Sequence, residues 1–201
     1  MKDRVYILLI FYTLMELLQT VSYYYVNKCD DKVNKILTEI AYIFVITQPL
    51  LWNAWFYQHS STLSTEKPLF MCGIVLSILW IVFNVIGRIM YTPENAQTFE
   101  RDSVFASDKV CTRKKASHLF WTWQTANIKN FNANFLMHLL IWMIPGLVSG
   151  THRLKVVVLL FSALLSGLYA YSLNEPFVMT ASWCYISIPI VFIILIAHNL
   201  V

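Results

Sequence analysis

Apolar residues in this chain gather into long runs separated by short polar stretches. Sliding hydropathy marks residues 5–26, 36–57, 68–91, 134–149, 154–171 and 177–200 as candidate membrane spans. A helix needs about 20 predominantly apolar residues to cross a bilayer, a length that the fourth run falls short of. The pattern predicts an all-α, polytopic transmembrane helical bundle of six spans, with seven as the alternative. It is read as one membrane domain over residues 1–201. Prolines interrupt three runs, at Pro49, Pro145 and Pro189. Within a helix a proline removes a backbone donor and permits a kink.

The connections are unequal. Residues 27–35 ("NKCDDKVNK"), 58–67, 150–153 and the "SLNEP" stretch are short and polar. The one long connection, residues 92–133, holds most of the charge, including Arg113, Lys114 and Lys115. It also contains "SHLFWTWQTANI", aromatic but too polar and too short to span. That piece is expected to form an interfacial helix at headgroup level, with Trp121 and Trp123 as anchors. A partly re-entrant hairpin is the second reading.

Composition supports the membrane class. The 201 residues are 58% hydrophobic and 13% charged, whereas soluble domains average roughly 45–50% apolar and about 25% charged. A soluble all-helical domain with very apolar core helices is the competing reading. The formal charge is +4. Lys2, Arg4, Lys67, Arg153 and Lys155 lie on one predicted side. Lys28, Lys32, Lys35, Arg101, Lys109, Arg113, Lys114, Lys115 and Lys129 lie on the other. Because positive charge marks the cytoplasmic side, the long connection is expected in the cytoplasm and both termini opposite. The basic run then faces anionic headgroups, worth about 1 kcal/mol per charge near the surface. Nucleic acid is not an expected partner, and a homo-oligomer is compatible with the pattern.

Polar residues inside the runs are the candidate chemistry. An acid at the bilayer centre costs about 2.5–3.5 kcal/mol on insertion scales, so Glu16 calls for a partner, a proton or a wet cavity. Tyr12, Glu16, Gln19 and Tyr23 share one helical face. At 1.5 Å per residue from the expected cytoplasmic ends, Glu16 and Gln48 come out about 15 and 18 Å deep. Gln19 and Asn84 both lie near 10 Å, and Glu39 and Arg88 near 5 Å, on the same approximate measure. Three level pairs are therefore predicted: Glu16 with Gln48, Gln19 with Asn84, and Glu39 with Arg88. Asn53, beyond Pro49, could line the same cavity. The plainer reading is that such residues only glue helices together, at roughly 0.6 kcal/mol each.

Other chemistry finds little to rest on. No lysine lies deep in a run, as retinal binding needs, since Lys155 sits at a helix entrance. His59, His118, His138, His152 and His198 are scattered, with no H-E-x-x-H, and the four cysteines show no C-x-x-C spacing. No metal or cofactor is expected. G-x-S-x-G and phosphate-loop motifs are also missing from the sequence.

The strings "ELLQTVSYYYVNKCDDKVNKILTEIAYIFVITQPLLWN" and "NEPFVMTASWCYISIPI" carry a resemblance. Through Glu16, Gln19, Cys29, Asn34, Gln48, Pro49, Asn53, Glu175, Trp183 and Cys184, the chain resembles an uncharacterised multi-pass membrane family. That family is seen in giant DNA viruses, algae and other single-celled eukaryotes. The likeness covers about a third of the chain. Members begin with a further Cys-Trp-Ser-bearing helix that this sequence does not show, which bears on the choice between six and seven spans. The resemblance implies a host or virion membrane and no particular chemistry. Cys29 and Cys111 fall on one predicted side, and a disulfide between them would contradict a reducing cytoplasm there.

Three functions are carried forward. The first is a small transporter, channel or ligand-binding bundle built on Glu16, Gln19, Gln48, Asn53 and Asn84, with Glu16 as the proton- or cation-sensing group. The second is a structural membrane or viral envelope scaffold. The third is an interfacial lipid-modifying enzyme using Glu39, Arg88 and His138, although the sequence leans away from an enzyme.

Overall fold

The computed structural model describes residues 5–60, 65–96, 107–115, 118–127, 135–174, 179, 182–183, 186 and 189–194. The elements run α1 (Val5–Ser22), α2 (Lys32–His59), α3 (Lys67–Ile89), a 3-10 turn (Pro93–Asn95), β1 (Cys111–Lys115), β2 (His118–Thr122), α4 (Phe135–Val148) and α5 (Arg153–Ser172). The described residues between 179 and 194 are helical. Most of the sixth predicted span, with Glu175 and Cys184, lies outside the described residues.

Local chemistry explains the helix ends. Asp31 caps α2, its carboxylate accepting from the Val33 and Asn34 backbone N–H groups at 2.6 and 3.4 Å. This cap satisfies donors that a first helical turn leaves orphaned, and it starts the helix four residues before the predicted span. Pro68 stands in the first turn of α3, where its missing N–H costs nothing. After α1 the chain turns through Asn27, which holds the left-handed conformation at φ 62° and so ends the helix short of residue 26. Pro49 and Pro145 sit inside α2 and α4, which continue past them.

α2 is the hub. α1, α3 and α4 all pack on it, α4 also contacts α3 and α5, and both strands lie against it. One apolar cluster joins Trp52, Trp55, Phe56 and Phe70 to Trp142, Val156 and Leu159, at the end where α2 finishes. A second joins Met15, Leu18, Ala41 and Tyr42 to Trp121 and Trp123, where α2 begins.

The long connection corrects the all-α expectation. In place of an interfacial helix, Cys111–Lys115 pairs antiparallel with His118–Thr122, with Cys111 opposite Thr122 and Lys115 opposite His118. Trp121 and Trp123 are only 2% exposed, so they serve as core residues and not as headgroup anchors. The physical reason lies in the burial of β2, where Leu119, Phe120, Trp121 and Thr122 are all covered. A strand buried on both faces shows no alternation, and its aromatic richness then reads as an interfacial helix.

Lys32–His59, Lys67–Ile89 and Arg153–Ser172 are long and apolar enough to cross a membrane. Residues 7–22 of α1 and 136–148 of α4 are apolar but shorter. Among the described residues there are thus three full-length candidates and two shorter apolar helices, on five of the six predicted runs.

Candidate functional site

The most built-up polar region is where the strand pair meets the start of α2. Its covalent element is a disulfide between Cys29, in the α1–α2 turn, and Cys111, the first residue of β1. Around it, Asn34 behaves like a residue of a neighbouring strand. Its side-chain amide donates to the Thr112 carbonyl at 3.0 Å, and its oxygen accepts from the Thr112 N–H at 3.0 Å. The same amide donates to the Tyr25 carbonyl at 2.8 Å. Asn27 completes the edge, its N–H donating to Thr112 O at 3.0 Å and its side-chain oxygen accepting from Lys114 N at 2.9 Å. A lone strand edge is a liability, and two asparagines close this one.

One turn further along α2, Thr38 shares a 2.7 Å hydrogen bond with the Thr112 hydroxyl, and its carbonyl accepts from the Trp123 indole N–H at 2.9 Å. Next comes Glu39, which pairs with Arg88 of α3. Arg88 also donates to the Gln124 carbonyl and lies 5.3 Å from the Tyr42 ring centroid. Ala126 N donates to Gly87 O at 2.9 Å, and a β-carbon at Gly87 would come within 3.1 Å of the Thr125 methyl. The first turns of α2, through Asn34, Thr38 and Glu39, therefore hold the strand pair by a continuous polar seam, beside the disulfide from the turn that precedes the helix.

Deeper in the bundle the polar residues form separate pairs. Tyr42 donates to the Asn84 side chain at 3.0 Å, and Asn84 donates to Trp80 O. Asn53 donates to Pro49 O, to Ser77 Oγ at 3.3 Å and to Ile141 O at 3.1 Å, joining α2, α3 and α4. The closeness is possible because Asn53 packs against Gly73, where any β-carbon would strike its amide oxygen.

Of the predicted level pairs, Glu39 and Arg88 are bonded to each other. Glu16 instead accepts from Gln19 on its own helix at 2.9 Å, while Gln48 reaches the Met15 sulfur at 3.5 Å. Asn84 turns to Tyr42 and away from Gln19. The reason is the hub arrangement, since α1 and α3 each pack on α2 and share no extended contact. So Glu16, Gln19, Gln48, Asn53 and Asn84 are distributed over the bundle and do not form one cluster. His138, grouped by sequence with Glu39 and Arg88, is buried between Trp80 and Trp142, with ring centroids 6.0 and 6.1 Å away. Arg113, Lys114 and Lys115 lie on β1, and the Lys114 ammonium stands 5.9 Å from the Tyr23 ring.

The opposite end carries a second network that the sequence did not announce. Glu66, just before α3, accepts from the Ser149 hydroxyl at 2.9 Å and from the Gly150 and Thr151 N–H groups at 2.7 and 3.3 Å. Partial burial pushes its carboxyl up, but these hydrogen bonds outweigh it and hold the carboxyl below its ordinary value of 4.5. Beside it His152 is fully buried among Phe56, Phe70 and Trp55. Nothing in the local sequence signalled Glu66 or Thr38. Asn34 could have been found from its place in the resemblance, although its role could not.

Comparison with known proteins adds identity of family and no chemistry. A family model described as a family of unknown function (DUF5765) matches residues 2–199. The chain is 25% identical over 191 residues to the uncharacterized protein R287 of Acanthamoeba polyphaga mimivirus, covering 89% of this chain and 76% of the relative. No solved structure matches it.

Proposed function

We propose that this chain, which belongs to the DUF5765 family, is an integral membrane protein acting as a disulfide-clasped structural scaffold. The observation that carries the reading is an inversion of the soluble pattern. Asn34, Thr38, Asn53, Ser77 and Asn84 are buried, while Leu79, Val82, Ile89, Phe161 and Leu164 are exposed. In water that arrangement would leave far more contiguous apolar surface than a monomer tolerates. In hydrocarbon it is favourable, because polar side chains find partners only inside the bundle.

The polar residues bond helix to helix: Asn53 to Ser77, Tyr42 to Asn84, Glu39 to Arg88. At roughly 0.6 kcal/mol per such contact, they act as glue that fixes register more than as a source of large stability. The disulfide supports an orientation opposite to the one that charge alone suggested. Disulfides persist in oxidising compartments, so the strand pair faces the lumen or exterior, and the 149–152 turn faces the cytoplasm. A folded unit translocates largely regardless of its charge, which accounts for Arg113, Lys114 and Lys115 on that side. The mimivirus relative fits a virion or host membrane.

A second reading, a proton- or cation-sensitive pathway, is favoured by one feature. Glu16 is only half-buried and its hydrogen-bond partner is a neutral amide rather than a cation. The two readings separate in proteoliposomes. The scaffold reading expects no ion or proton flux above empty vesicles across a panel of ions, with Glu16→Gln indistinguishable from the parent. A pH-dependent flux that disappears in Glu16→Gln would replace it with the pathway.

A further inference from the structure

At the end of the bundle away from the disulfide, α5 and residues 189–194 enclose an open groove of about 280 Å³. Leu154, Val158, Ile190, Ile193 and Ile194 line it with hydrocarbon, and Lys155 stands at its wall as the one polar residue of the lining. The volume lies just under the ~300 Å³ at which sites for whole small molecules begin. It suits a length of chain.

Lys155 has a fixed place. Its ammonium stands 5.3 Å from the Trp55 ring centroid, and among the described residues no carboxylate lies within ion-pair distance of it. Glu66, an acid of this face, is turned to Ser149, Gly150 and Thr151. Arg153, exposed on the same turn of α5, donates from its Nε to the Leu147 carbonyl.

We propose that this groove seats an acyl chain of an anionic phospholipid, with the phosphate held by Lys155. The inference rests on the membrane reading and on the orientation derived from the disulfide. Both bring this end of α5 to the cytoplasmic leaflet, where anionic lipids are concentrated. An acyl chain is the apolar occupant that the surroundings supply, and the phosphate supplies the negative charge that no carboxylate among the described residues places beside Lys155.

The test uses the full chain in nanodiscs made of equal phosphatidylcholine and phosphatidylglycerol, with retained lipids counted by native mass spectrometry. Phosphatidylglycerol should be retained over phosphatidylcholine by about five-fold, the ratio set by roughly 1 kcal/mol per basic residue near an anionic surface. Lys155→Gln should remove the preference and Lys155→Arg should keep it. Ile193→Trp, which fills the groove, should lower retention of both lipids while the melting curve stays put. Equal retention of the two lipids by the parent chain, a preference that survives Lys155→Gln, or a dimer in place of the lipid adduct would overturn the site. Alkaline carbonate extraction separates the two levels. A chain released from membranes refutes the membrane reading itself, whereas an embedded chain without lipid preference refutes only the lipid site.

Discussion

Replacing Cys29 and Cys111 together by serine tests the clasp that the rest of the polar seam is built around. The bond spans 82 positions of sequence. If the whole intervening chain were free when unfolded, closing that loop would contribute about 4.5 kcal/mol in the chain-entropy account. In a membrane, α2 and α3 stay inserted after tertiary contacts are lost. The free chain then shrinks to the stretches flanking the two helices, about 25 residues, and the contribution falls to about 3.5 kcal/mol. At roughly 2–4 °C per kcal/mol for a chain of this size, the double variant should melt about 10 °C lower. Intrinsic tryptophan fluorescence is a suitable signal, because Trp121 and Trp123 are buried where the strand pair meets the bundle. Reductant should lower the parent's melting by the same amount and leave the double variant unmoved. If reduction leaves the parent unchanged although peptide mapping shows the bond present, the hairpin is held by its hydrogen bonds alone. Peptide mapping that finds both thiols free would remove the argument for orientation as well.

Further predictions address the noncovalent parts. Asn34→Leu leaves the Thr112 N–H unpaired, leaves its carbonyl to Asn27 alone and removes a donor from the Tyr25 carbonyl, and should destabilise by about 1–3 kcal/mol, the cost of a buried backbone group left unpaired; thermal melting of the purified chain measures it. Gly73→Ala drives a methyl into the Asn53 amide and should cost about 1–3 kcal/mol through overpacking. The pairing of that variant with Asn53→Ala should recover part of the loss in a double-mutant cycle. Glu66 has a folded-state carboxyl below its ordinary 4.5, so its stabilising effect is present above pH 4.5 and fades as pH falls through the lower folded value. Accordingly, Glu66→Gln should melt lower than the parent at pH 7, and the gap should narrow as the pH falls below 4.5. A gap that is constant with pH would assign the loss to packing rather than charge.

What the residue order determined by itself was the set of apolar helices and the inventory of polar groups within them. Hydropathy depends on neighbours along the chain, so α2, α3 and α5 were legible to within a few residues. The Glu39–Arg88 pair was legible too, because two residues near the same ends of adjacent helices have few other places to meet. Three things had to await the assembled molecule. The direction in which Glu16 turns depends on which helix stands beside α1. The strand pair was hidden because burial on both faces erases the alternation that marks a strand. The union of Cys29 with Cys111, on which the orientation turns, depends on a docking made by Asn27, Asn34 and Thr38 across a long stretch of chain, and spacing along the sequence carries no record of such contacts.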